Sequence, residues 1–258
     1  MSLRKWVLFI KLSTKTFIKT LRFQGVMKVA VLYSGGKDSN YAVQYAREKN
    51  WDIAYLLSVK PNRKDCFLFH YATVEHTSKQ AVLLGLKHFL IPCTVADPTL
   101  EANLVKEFIS KKQKELPVDA VVLGGTGLQM TQIKSVQEAL QPLHIEVFAA
   151  HAGLDHEEVF KDMLNKGFEI MITQIASDGL ASWLGKTITK ENFPLLEKDS
   201  RKYGFHVGFE GGYADTFVLN APLFPKRIAV SEFSKTMDDH YCGHITFTNI
   251  EIVDKLKV

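Results

Sequence analysis

Residues 28–39 read KVAVLYSGGKDS, and the chain continues through NYAVQYAREK to Lys49. The stretch Lys28–Tyr33 is apolar without alternation, as a parallel strand buried on both faces requires. Asp38–Lys49 sets Tyr41, Ala42, Tyr45 and Ala46 on one face of a helix. Between them lies Ser34-Gly35-Gly36-Lys37-Asp38-Ser39. Two glycines allow a tight turn that exposes backbone N–H groups, and the following helix N-terminus adds partial positive charge. Ser34 and Ser39 add hydroxyl donors and Lys37 a mobile cation, so the six residues read as a phosphate cradle at the carboxyl end of a strand. It is not a Walker A loop, because Val31 stands where that pattern needs glycine and Asp38 where it needs Ser or Thr. Asp38 beside the lysine can hold Mg²⁺ against the phosphates.

The same strand–helix rhythm runs outward from this loop. Strands are expected at Ile53–Val59, His88–Ile91, Val118–Leu123 and Ile145–Ala149. Helices are expected at Val74–Gly85, Leu100–Glu115 and Gly127–Leu140. This alternation predicts an α/β fold, a parallel Rossmann-like sheet with helices on both faces. After about residue 150 the rhythm changes. Asp155 caps a helix running to Gly167, Phe168–Ile175 is strand-like, and Lys190–Lys202 is helical. Thr216–Leu219, Arg227–Glu232 and His244–Val253 then follow as successive strands, which predicts a smaller mixed α+β second subdomain. The expected units are a basic extension at 1–26, a nucleotide-binding domain at 27–150 and a second subdomain at 151–258.

Composition sets the class. The chain has 258 residues, 46% hydrophobic and 23% charged, which is globular and not low-complexity. Six basic residues and no acid occupy residues 1–26, so the remainder carries a net −2 against the total of +4. The body is therefore not a basic nucleic-acid-binding surface. The leader lacks the apolar length and cleavage site of a secretory signal. Its Trp6, Ile10, Phe17 and Leu21 share one helical face, but it reads best as an extension dispensable for nucleotide binding. No apolar stretch is long enough to span a membrane. Cys66, Cys93 and Cys242 are an odd, scattered set, which points to reduced thiols and a cytoplasmic protein.

SGGKDS after a strand resembles the PP-loop of the ATP pyrophosphatases. A second block, GFEGGYADTFVLNAPLF at residues 208–224, narrows the likeness, together with Gly179-Leu180 and Trp183-Leu184-Gly185-Lys186. The set resembles the diphthine–ammonia ligase family of N-type ATP pyrophosphatases over roughly residues 27–232. That resemblance implies an ATP-dependent amide ligase that adenylates a carboxylate, releasing AMP and pyrophosphate. It implies diphthine on translation elongation factor 2 as acceptor, ammonia as nitrogen donor, diphthamide as product, and ATP with Mg²⁺ as cofactors. The loop residues Ser34, Gly35, Gly36, Lys37, Asp38 and Ser39 would bind nucleotide, and His70, Gln132, Gly211, Gly212 and Thr216 would face the acceptor. A homodimer is compatible with this reading.

Read on its own, Glu210 can bind Mg²⁺ or orient ammonia, or it is a solvated turn glutamate. With Lys37 and Asp38 it forms the expected catalytic set. The chain departs from the family pattern on the acceptor side. Tyr213 and Asp215 stand where acids are usual, Thr131, Ser135 and Gln137 where Tyr, Arg and Glu are usual, and Ala149–Gly153 where Pro, Leu and Trp are usual. Two other readings therefore stay open: a PP-loop tRNA-modifying enzyme, and a non-catalytic ATP- or AMP-binding protein. Weaker signals are His240 and His244, spaced for a metal on a helix. His151, Asp155, His156 and Glu157 also cluster, but without a nucleophile elbow they read as no hydrolytic site. Trp183 reads equally as a packing anchor or a substrate platform.

Overall fold

A computed structural model describes residues 25–62, 73–124 and 130–255, with side chains from Ile133 onward in the last stretch. Its first layer is a five-stranded sheet of β1 (Lys28–Leu32), β2 (Asp52–Pro61), β3 (His88–Cys93), β4 (Ala120–Leu123) and β5 (Glu146–Ala149). The strands are all parallel, in the order β3-β2-β1-β4-β5. The helices between them are α1 (Lys37–Glu48), α2 (Thr77–Leu84), α3 (Pro98–Lys112) and α4 (Met130–Leu140). β1 explains the unalternated apolar run. Ala30 packs into the core beneath α3 and α4, while Val29 and Val31 pack on the opposite face against Ala42, Val43 and Ala46 of α1. The strand order reverses between β1 and β4, so the crevice beyond their carboxyl ends is where such a sheet takes ligands.

The second layer contains α5 (His156–Asn165), β6 (Glu169–Ala176), β7 (Thr187–Ile188), α6 (Phe193–Tyr203), β8 (Ala214–Asn220), β9 (Arg227–Met237) and β10 (Cys242–Val253). β7, β6, β10 and β9 form an antiparallel sheet in that order, and β8, off this path, also pairs antiparallel with β6. One core of Phe160, Ile170, Ile172, Trp183, Leu196, Phe217 and Phe224 fills it. That core also takes in Leu83 of α2, so α2 serves both layers.

Boundary differences have local causes. The expected helix 100–115 begins at Pro98, because Asp97 accepts from the N–H groups of Thr99 and Leu100 and Pro98 has no N–H that needs an acceptor. The expected helix 190–202 begins at Phe193 with Pro194 in its first turn, and Gly204 at φ 78° ends it. Val74–His76 is a 3-10 turn that leads into α2 from Thr77. Asp155 caps α5 as read, accepting from Glu157 and Glu158 at 2.9 and 3.1 Å. The short β7 was not anticipated, and β9 and β10 form a longer hairpin than expected. Among the described residues no helix is long and apolar enough to cross a membrane.

Candidate active site

The glycine-rich loop sits at the crevice and is braced from both layers. Gly35 adopts φ 83°, and a Cβ there would lie 2.6 Å from Oε1 of Gln80, so only glycine fits. The carbonyl oxygen of Gly35 accepts from the backbone N–H of Val218 at 2.9 Å, from Nε2 of Gln80 at 2.9 Å and from Nδ2 of Asn40 at 3.1 Å. The Tyr33 hydroxyl fixes Asn40 by donating to its Oδ1 at 2.8 Å. A Cβ on Gly36 would fall 2.9 Å from the carbonyl oxygen of Thr216. The backbone N–H of Lys37 donates to Oγ1 of Thr216 at 3.1 Å. β8 of the second layer is thereby stitched to the loop of the first. The N-cap residue Gly36 has no side chain to cap α1, whose N-terminus can attract an anion.

Two loop side chains are less free than the sequence suggests. The Ser39 hydroxyl is buried, accepts from Gly35 N–H at 3.0 Å and donates to the Gly36 carbonyl at 3.0 Å, so it braces the loop. Lys37 is not a mobile cation. Its side chain is 5% exposed, and its ammonium donates to both carboxylate oxygens of Asp38 at 2.7 and 2.8 Å. The ammonium also lies 5.8 Å from the centroid of the Phe160 ring. Asp38 lies in the first turn of α1 and not on a loop edge. Burial pushes its carboxyl up, but Lys37 foremost and then His151 and His156 hold it below the ordinary carboxylate value.

Beyond Asp38 stands a wall the sequence did not assemble. The chain leaves β5 through Ala150 into His151, and α5 opens with His156. His151 Nδ1 is 3.5 Å from Asp38 Oδ1, and the two imidazole centroids are 4.6 Å apart. Tyr41 packs on the other side of His151 at 4.3 Å. Burial lowers the His151 pKa from 6.5 to about 4, with Asp38 opposing and Lys37 reinforcing the drop. His156 Nδ1 is 2.6 Å from Oε1 of Glu210. Glu210 is 5% exposed, so it is not a solvated turn residue. Gly211 and Gly212, at φ 95° and 82°, turn the chain from Glu210 into β8. Thr216 faces the loop and not merely its own turn.

Of the other expected residues, His70 lies outside the described residues and Gln132 lies on α4 with its side chain undescribed. His240 and His244 are not on a helix. His240 lies in the β9–β10 turn, 3.6 Å from Asp178, and His244 lies on β10, 4.0 Å from Asp238. The turn forms because Asp239 accepts from Tyr241 and Cys242 N–H. Trp183 is a packing anchor whose Nε1 donates to Asp199 at 2.8 Å. Sequence reasoning passed over Gly124, which follows β4. A Cβ there would lie 2.3 Å from the carbonyl carbon of Asp38, so this glycine lets α1 start against the end of β4.

A parallel sheet whose first strand ends in an SGGKDS loop at a helix N-terminus, on the switch point of the strand order, defines an ATP-using α/β enzyme of the PP-loop pyrophosphatase class. Residues 27–140 match the family described as "Diphthamide synthase N-terminal domain", and residues 155–253 match "Diphthamide synthase C-terminal domain". The chain belongs to the diphthamide synthase family, and as such is a ligase of the ATP pyrophosphatase type. It is 26% identical over 253 residues to the Homo sapiens protein named diphthine–ammonia ligase, covering 89% of this chain and 94% of that one. The Danio rerio protein of the same name is 25% identical over 256 residues, covering 90% and 99%. A solved U34-tRNA thiolase from Methanococcus maripaludis covers 59% of this chain and 63% of its own at 16% identity and a TM-score of 0.34, too distant to bear on chemistry.

Proposed function

We propose that this chain amidates diphthine on translation elongation factor 2, using ATP and ammonia and releasing diphthamide, AMP and pyrophosphate, in the cytoplasm. The observation that carries the reading is the seam between the layers. Thr216 and Val218 bond directly to the loop, which brings the 210–216 block to the mouth of the phosphate cradle. ATP supplies the activation: the acceptor carboxylate displaces pyrophosphate from the α-phosphorus, and ammonia then displaces AMP.

The residues divide this work. The loop amides and the α1 N-terminus hold the β- and γ-phosphates, where negative charge builds as pyrophosphate leaves. Lys37, already poised beside the loop, stabilises the same charge once phosphate oxygens compete with Asp38 for its ammonium. Among the described residues the Asp38 carboxylate beside the loop suits Mg²⁺, since Mg²⁺ takes oxygen ligands and shares them with substrate phosphates. When bound there it would neutralise phosphate charge. Glu210, buried and held through His156, would orient the ammonia and accept its proton.

The test is mass spectrometry of diphthine-bearing elongation factor 2 after incubation with the chain, ATP, Mg²⁺ and ammonium. Conversion to diphthamide is expected, and its loss in Glu210→Gln with ATP binding retained. A preparation that binds ATP and leaves diphthine unconverted overturns the proposal.

A further inference from the structure

Beside Asp38, His151 and His156 add two imidazoles to which the amidation reading gives no ligand role. Among the described residues, Asp38, His151 and His156 each offer a ligand atom, and these atoms lie within 4.8 Å of one another. His151 is 1% exposed, and neither ring nitrogen has a hydrogen-bond partner. His156 is 8% exposed, and its Nε2 is likewise without one. Three unpartnered imidazole nitrogens buried together are costly unless something else occupies them.

The two rings are also prepared as ligands. Glu210 sits 2.6 Å from His156 Nδ1, so that nitrogen carries the proton and Nε2 presents its lone pair toward the cluster. A carboxylate behind a histidine in this way orients the ring and raises its basicity toward a metal. His151 lies with Nδ1 3.5 Å from Asp38, buried and with both ring nitrogens unpartnered. Tyr41 and the edge of His156 fix its plane. Two imidazoles and one carboxylate suit a first-row transition ion, and suit Mg²⁺ poorly. The remaining coordination positions would open toward the crevice, because Asp38 is the one member of the three that is partly exposed. Lys37 now bonds both oxygens of Asp38, so a cation entering the cluster competes with that ammonium.

We propose that Asp38, His151 and His156 form a binding site for a divalent first-row transition-metal ion, zinc being the reference case, with Glu210 as the residue that orients His156. The site shares Asp38 and Glu210 with the amidation reading but is tested apart from it, since metal uptake is measured without ATP or acceptor. Failure to convert diphthine therefore leaves it standing, and absence of metal leaves the amidation reading standing.

The experiment uses the full chain without an affinity tag, stripped with a chelator, titrated calorimetrically with Zn²⁺ and assayed for bound metal by mass spectrometry. One equivalent should bind, a 100-fold excess of Mg²⁺ should not displace it, and the Co²⁺ form should show visible absorption shifted by nitrogen ligands. His151→Gln and His156→Gln should each weaken Zn²⁺ by more than ~100-fold, and Glu210→Gln by about 10- to 100-fold. Circular dichroism and thermal melts identify variants that fail to fold. Should His151→Gln be one of them, His156→Gln and the Co²⁺ spectrum of the unmutated chain decide the matter. No binding by the unmutated chain overturns the proposal, as does binding that survives the double variant but is lost in His240→Ala.

Discussion

The two sides of the crevice are built from different materials. The loop side is backbone: Gly35, Gly36 and the first turn of α1, fixed by the Val218 and Lys37 N–H bonds and by Gln80 and Asn40. The acceptor side is side chains drawn from separate elements: His151 after β5, His156 at the start of α5 and Glu210 before β8. A backbone cradle depends on a short contiguous string and tolerates little change within it. A wall of side chains can alter residue by residue while the sheets behind it stay put. Of the stretches that depart from the pattern the resemblance implies, Ala149–Gly153 is the one that contributes His151 to this wall.

Asp38 is where the two meet, and its loss is expected to have the largest effect. It ties Lys37 on the loop side and faces His151 on the other. Asp38→Ala should lower pyrophosphate release by at least ~10²-fold while leaving the circular dichroism spectrum unchanged. Near-normal release in that variant would break the assignment of the crevice as the reaction site.

The acceptor wall should reveal itself in the pH dependence of stability. His151 titrates at 6.5 when unfolded and at about 4 when folded. Between those values the unfolded chain binds more protons, so folding stability is full above pH 6.5 and falls as pH drops toward 4. The loss reaches at most about 3 kcal/mol. Asp38, held below its ordinary value, acts in a lower window and withdraws its contribution only as pH falls beneath the carboxylate range. His151→Phe should flatten the melting temperature between pH 7 and pH 5, measured with a chelator present. An unchanged slope would mean the ring is not held neutral by burial among Tyr41, Asp38, Lys37 and His156.

Glycines sharpen the contrast. Gly124→Ala would put a methyl 2.3 Å from the Asp38 carbonyl carbon and push the start of α1 off β4. It should cost about 1–3 kcal/mol of stability and weaken ATP binding by titration calorimetry. Gly212→Ala meets nothing within 4 Å. Its positive φ makes it costly to the fold, but nucleotide affinity should stay as it was. Equal effects of the two on ATP would erase the distinction between a backbone cradle and a side-chain wall.

The same distinction explains what the sequence made legible. SGGKDS is contiguous, and its chemistry follows from residue order alone, so the loop, the parallel sheet and the second subdomain were readable. Asp155 as a cap and Gly85 as a helix stop were readable for the same reason. His151 and His156 were visible as a cluster but were weighed as a hydrolytic triad, because their partners Asp38 and Glu210 are far away in the chain. Only the closure of β5 and α5 around the crevice joins them. His240 and His244 show the converse: their spacing suits a helix, Gly243 between them argues for a surface loop, and the Asp239 turn places them on a hairpin. Gly124 carried a signal, a glycine at the carboxyl end of an apolar strand, that went unread.

The smallest expected effect tests the seam itself. The bond from Lys37 N–H to Thr216 Oγ1 joins residues 179 positions apart and is buried. Thr216→Val keeps the shape and removes the acceptor, leaving a buried N–H without a partner at a cost of about 1 kcal/mol or somewhat more. Because that N–H belongs to the first turn of α1, part of the cost should appear as a several-fold loss of ATP affinity. Thr216→Ser, which retains the hydroxyl, should restore most of it. The Gly35–Val218 backbone bond survives in both variants, so the layers should stay in register and the melting temperature should change little. If Thr216→Val binds ATP as the unmutated chain does, the Thr216 bond carries no part of the link from acceptor side to phosphate cradle, which then rests on Val218 and Gln80.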